Sequence, residues 1–130
     1  MENTIINSQF QGKNYTTVIS NGRHLIVADE PKEDGGQDEG FNPFELLLAA
    51  LATCTTATLK MYADRKGWVI KNINITLSME ENDTSQYIKR RIKVEGDFTE
   101  EQLKRLLLIA EKCPVHKMLS SPNKIETTLI

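Results

Sequence analysis

Asn42-Pro43-Phe44-Glu45-Leu46-Leu47-Leu48-Ala49-Ala50-Leu51-Ala52-Thr53-Cys54 is the stretch on which the fold turns. Asn42 suits an N-cap, Pro43 the first helical position, and Glu45 can reach back to the cap amide, so a helix starts here. It is expected to run to about Lys66, where Arg65 and Lys66 favour the negative end of the helix dipole and Gly67 supplies a left-handed residue. Its first half, Leu46 to Ala52, is apolar on every side, the pattern of a helix enclosed by protein. At 130 residues the chain has the size of one domain and little material to enclose such a helix, which points to a subunit interface.

Around this helix the rest reads as antiparallel sheet and shorter helices. Tyr15 to Ile19 and Leu25 to Val27 flank Ser20-Asn21-Gly22, a strong hairpin signal. Residues 29–40 are rich in acid and glycine, so a mobile surface connector is expected there. Trp68 to Met79 alternates as a strand, Glu81 to Ser85 turns, and Gln86 to Glu95 returns with Arg90 on the inward parity of Ile88, Ile92 and Val94. Thr99-Glu100-Glu101-Gln102 is a second capping box, with Leu103, Leu106, Leu107 and Ala110 on one face of the helix it opens. Cys113-Pro114 ends that helix and caps a short one to about Leu119, and Ile125 to Ile130 reads as a closing strand.

Composition narrows the function. Sixteen Lys plus Arg stand against 18 Asp plus Glu, which leaves no basic field for nucleic acid or an acidic membrane surface. The N-terminus lacks the marks of a signal peptide and the apolar run Leu46 to Ala52 is too short to span a bilayer, so the expected location is the cytoplasm. In that reducing compartment a cysteine pair, Cys54 and Cys113, is either core filling or redox-active. Two thiols suffice for peroxide reduction: one becomes a sulfenic acid and the other condenses with it to a disulfide that a dithiol reopens. A metal site is a poor fit, because Cys113 and His116 supply one ligand pair and only Cys54 and His24 remain. His116 can instead stand beside Cys113 as a cation, and Arg90 can serve a buried anion such as a thiolate or pair with a carboxylate. The helix start at Cys113 favours that thiol as the more acidic of the two.

The residues from Gly40 to Cys54, followed by the helix from Thr99 to Lys112 and Cys113-Pro114-Val115-His116, resemble the OsmC family, which includes the organic hydroperoxide resistance proteins. The order of elements is similar over nearly the whole chain, as one OsmC-like domain at residues 1–130. The resemblance implies an α+β fold, an intertwined homodimer with antiparallel sheets around two long central helices. It also implies reduction of organic hydroperoxides at the dimer interface, with no bound cofactor, Cys54 attacking, Cys113 resolving and a dithiol reductant recycling the pair. This assigns attack to the thiol that the dipole argument does not favour. Two positions depart from the pattern. A glutamate is expected directly after Asn42-Pro43, where this chain has Phe44, with Glu45 one helical residue and about 100° further round. An arginine is expected in the first hairpin near Lys13, and lysine is a poor substitute for a bidentate clamp. Arg23 and Arg90 are the candidates to replace it. The rival readings are a non-peroxidase relative that binds a small apolar or reactive ligand in the same pocket, and a structural dimer whose cysteines only pack; for Phe41, Phe44 and Met61 the expectation is core packing first, with lining of that pocket as the alternative.

Overall fold

The computed structural model describes residues 3–130 and shows an α+β protein of antiparallel sheets and helices, in two compact units divided at Leu47. In the first unit, β1 (Asn7–Phe10), β2 (Thr17–Ser20) and β3 (Leu25–Ala28) form a three-stranded antiparallel meander in that order. The Asn-Gly turn closes it as the sequence predicts: Asn21 Oδ1 accepts from the amides of Arg23 and His24 at 2.9 and 2.7 Å, and Gly22 takes a φ of 92°. Strand β1 is an addition to the two strands read from the sequence, because Asn7-Ser8-Gln9-Phe10 carries almost no apolar pattern and is held by backbone pairing with β2.

Segment 29–40 corrects the expectation of a mobile connector. Its organiser is Asp29, 3% exposed, whose carboxylate accepts from the amides of Glu30, Tyr15 and Glu39 at 2.7, 3.0 and 3.2 Å and from the Thr16 hydroxyl at 2.9 Å. A 3-10 turn at Lys32–Asp34 follows, and Lys13 pairs with Glu39. Gly40 passes so close to β3 that a Cβ there would lie 2.1 Å from the Val27 carbonyl. Burial pushes the Asp29 carboxyl up, but the bonds from Glu30, Thr16, Tyr15 and Glu39 outweigh it and bring its pKa down to about 2 from 3.8. Because the folded value is the lower one, the stabilisation is complete above about pH 4 and disappears as pH falls through about 2. Hydrogen exchange at the Tyr15, Glu30 and Glu39 amides is expected to show protection collapsing over that window, and Asp29→Asn to abolish it at neutral pH. An unchanged Asn variant would mean that the carboxylate does not organise the loop.

Helix α1 (Pro43–Lys66) starts where predicted: Asn42 Oδ1 accepts from the Glu45 amide and Glu45 Oε1 from the Asn42 amide, both at 2.9 Å. Its end is also as expected, with Gly67 at a φ of 72°. By length and composition α1 as a whole would reach across a bilayer, although Leu46 to Ala52 alone would not. One stripe of it packs inward, with Leu51, Thr55, Leu59 and Ala63 buried at successive i, i+4 positions.

In the second unit, β4 (Asn72–Glu81) and β5 (Gln86–Glu95) form a hairpin with Ile73 opposite Val94, Ile75 opposite Ile92 and Leu77 opposite Arg90. β4 begins later than the predicted Trp68, because Trp68 packs on the core and only Lys71 onward bonds to Glu95. Helix α2 (Glu100–Ala110) carries the predicted capping box, with the Gln102 amide donating to Thr99 Oγ1 at 3.1 Å. Its buried residues are Leu106, Ile109 and Ala110, whereas Leu103 and Leu107 are 44% and 62% exposed, so the inward face lies rotated from the one read in the sequence. Leu59, Leu106, Ile109 and Ala110 form the core cluster, flanked by Tyr62, Trp68, Ile73, Ile92, Val94 and Phe98. Helix α3 (Pro114–Leu119) follows with Cys113 at its cap position. The predicted closing strand at Ile125 to Ile130 is not formed; among the described residues these pair with no strand, and Ile125 and Leu129 are 84% and 99% exposed.

Candidate functional site

The thiols come from two elements of the second unit. Cys54 is half-buried on α1, and Cys113, with no exposed surface, stands between α2 and α3. They are neighbours: each is a hydrogen-bond partner that shifts the ionisation of the other. Burial pushes the Cys54 thiol up, its contact with Cys113 and the charge there push the same way, and the Val115 backbone and Thr58 only partly oppose this. At Cys113 burial also disfavours the thiolate, yet the Cys54 S–H, the backbone at His116 and Val115 and the Thr55 hydroxyl outweigh it, and the pKa falls below the ordinary thiol value. The two shifts run in opposite directions because the thiols share one contact, which favours a negative charge on one sulfur at the expense of the other.

Arg90 lies beside the pair and is held on several sides. Register opposite Leu77 turns it inward on β5, leaving its side chain 11% exposed. Its Nη1 donates to Thr55 Oγ1 at 3.0 Å, and its Nη2 lies 2.9 Å from His116 Nδ1, 3.4 Å from the Ala110 carbonyl and 3.6 Å from Glu111 Oε2. His116 Nε2 is 3.1 Å from the same Glu111 oxygen. A guanidinium only donates, so this arrangement assigns the His116 proton to Nε2, where it faces Glu111. Thr55 also donates its hydroxyl to the Leu51 carbonyl at 2.6 Å.

An open cavity of about 610 Å³ adjoins this cluster, with Leu51, Ile88, Ile92 and Leu107 on its apolar side and Arg90, Glu111 and His116 on its polar side.

Of the residues singled out in the sequence, Cys54, Cys113, Arg90 and His116 are thus brought together. Glu45 belongs to the first unit and is engaged as the capping acid of α1. Arg23, also in the first unit, is an exposed residue of the β2–β3 turn. Phe41, Phe44 and Met61 are 56%, 60% and 59% exposed and do not line the cavity; Met61 lies off the buried stripe of α1. Thr55 and Glu111 went unread. Thr55 had a signal, since it is the polar member of the i, i+4 series Leu51, Thr55, Leu59, Ala63; Glu111 is an exposed helix-end carboxylate with none.

Comparison with known proteins places this geometry in context. The family model described as OsmC-like protein matches residues 36–128. A Mycoplasma pneumoniae protein named hydroperoxide reductase is 26% identical over 118 residues, covering 85% of this chain and 82% of its own length. Among solved structures, an OsmC-like protein from Mycoplasma pneumoniae aligns with a TM-score of 0.78 at 20% identity, over 92% of this chain and 88% of that one. The organic hydroperoxide resistance protein OhrB of Bacillus subtilis aligns at 0.61 and 22%, over 90% of each chain. The fold is the one these structures share, the family match takes in both cysteines, and the chain is a member of the OsmC-like protein family.

Proposed function

We propose that this protein reduces organic hydroperoxides with Cys54 and Cys113 as its redox pair. The observation that carries the reading is that two cysteines far apart in sequence are neighbours between α1 and α3. The name of the Mycoplasma pneumoniae relative supports the same chemistry. Cys54 sulfur attacks a peroxide oxygen as the O–O bond breaks, the leaving alkoxide takes up the Cys54 thiol proton as the alcohol, and the resulting sulfenic acid condenses with the Cys113 thiol to a disulfide and water. A small dithiol then exchanges with the disulfide and restores both thiols. The working unit is an intertwined homodimer of single-domain chains in the cytoplasm. The apolar residues that one chain leaves exposed, among them Phe44 and Met61 of α1 and Leu107 and Leu108 of α2, support that assembly.

The test is stoichiometric. Fully reduced protein mixed with cumene hydroperoxide is expected to lose two thiols for each hydroperoxide converted to alcohol, and to regain both with dihydrolipoamide. Unchanged thiols with the hydroperoxide intact would defeat this reading. The second reading, a binding protein for a small apolar ligand, draws on the apolar wall of the cavity; it would then be favoured by saturable binding of a hydrophobic fluorophore.

A further inference from the structure

The two cysteine-bearing segments are tied to each other by a side chain that belongs to neither. Thr55 follows Cys54 on α1 and accepts from Arg90 Nη1 at 3.0 Å. Arg90 Nη2 reaches both flanks of Cys113, with the Ala110 carbonyl at 3.4 Å and Glu111 Oε2 at 3.6 Å before it and His116 Nδ1 at 2.9 Å after it. The bond to Ala110 bears on Cys113 directly, because the Cys113 amide donates to that same carbonyl at 3.3 Å. On the other flank the Cys113 carbonyl accepts from the Lys117 amide at 3.0 Å, so the helical turn that carries His116 also holds Cys113. The anchor itself is stiff, since β5 pairs with β4 along the whole of both strands.

We infer that Arg90 is the positioning residue of the resolving step, its guanidinium fork fixing where Cys113 stands once Cys54 has become a sulfenic acid. The inference rests on the hydroperoxide reading above. In the resolving step the Cys113 sulfur bonds to the Cys54 sulfur, the S–O bond of the sulfenic acid breaks, and the Cys113 thiol proton leaves with the hydroxyl as water. A disulfide forms only over a narrow range of Cβ separations, about 3.5–4.5 Å. Backbone bonds hold α1 together and hold the α2–α3 junction together, but they do not set the distance from one to the other. The bonds of Arg90 do, because they end on both.

The planar guanidinium aims its donors in fixed directions, so Nη1 and Nη2 keep Thr55 and the flanks of Cys113 at a set separation. A lysine ammonium is one point of charge on a flexible stem and cannot hold both sides. Attack on the peroxide makes no such demand. It uses the one half-buried sulfur of Cys54 and is indifferent to where Cys113 stands.

Competition at Cys54 reads the two steps apart. Its sulfenic acid either closes with Cys113 or takes an oxygen from a second hydroperoxide, which gives a sulfinic acid and a second alcohol. Mass spectrometry after mixing with increasing cumene hydroperoxide measures that partition, and dimedone trapping at early times measures the first step. Arg90→Met, which keeps an unbranched stem, is expected to form the sulfenic acid at close to the wild-type rate. Its closure is expected to be about 100-fold slower, the cost of a misplacement of about 1 Å, so that half of Cys54 becomes sulfinic at about 100-fold less hydroperoxide. Arg90→Lys is expected to partition as Arg90→Met does. His116→Leu severs only the tie to α3 at a partly exposed position, and is expected to shift the partition the same way by a smaller factor; it decides the matter if Arg90→Met does not fold. A merely structural role would lower the melting temperature and leave the partition in place. A wild-type partition in these variants, or full closure restored by Arg90→Lys, would overturn the inference and leave the hydroperoxide reading standing. A wild type that forms no sulfenic acid and no disulfide would remove both.

Discussion

Cys54→Ser is expected to lower hydroperoxide consumption by at least about 1000-fold, because a serine hydroxyl is neither ionised near neutrality nor oxidisable by a peroxide, and losing the nucleophile of a catalytic unit costs that much or more. The substitution exchanges sulfur for oxygen at a half-buried helical position, so the fold is expected to survive. Residual hydroperoxide in the presence of a dithiol, measured against protein-free solution, gives the answer. If Cys54→Ser retained even a tenth of the wild-type rate, Cys54 would not be the attacking group. Cys113→Ser differs in kind. With that variant the cycle stalls after one turnover as a sulfenic acid that mass spectrometry detects, whereas Cys54→Ser yields no sulfenic acid at position 54.

Leu59→Ala is expected to cost about 3–4 kcal/mol of folding stability, the middle of the range for emptying a core leucine site. Leu59 has no exposed surface and is the side chain through which α1 meets Leu106, Ile109 and Ala110. The walls of the resulting space are helices and strands fixed by their own hydrogen bonds, which limits collapse into it. For a chain of this size each kcal/mol corresponds to roughly 4 °C, so the melting temperature is expected to fall by about 12–16 °C. Urea denaturation that showed a loss below about 1 kcal/mol would place the core elsewhere.

Much of the architecture was legible because its signals are local. Asn42 and Glu45 bond each other as a capping box does, Asn21 and Gly22 build their turn within a few residues, and the alternation in 72–81 and 86–95 fixes which side chains face inward. That parity also placed Arg90. It did not say what Arg90 would meet, because Thr55, Glu111 and His116 reach it from three other helical segments and no spacing encodes such a meeting. Leu103 and Leu107 were misjudged for a related reason: helical period allows several apolar faces, and the partner helix decides which is used. Ile125 to Ile130 has the composition of a strand, but a strand is a pairing and composition does not supply a neighbour.

Segment 29–40 misled because its composition speaks of solvent and its geometry is set by one carboxylate. A stretch tied at a single knot has two kinds of position. The donors around Asp29 tolerate little, while Lys32 to Asp34, which contain no buried residue, are free to change. That short exposed run is where a fluorescent label or an inserted epitope can be carried at small cost to folding.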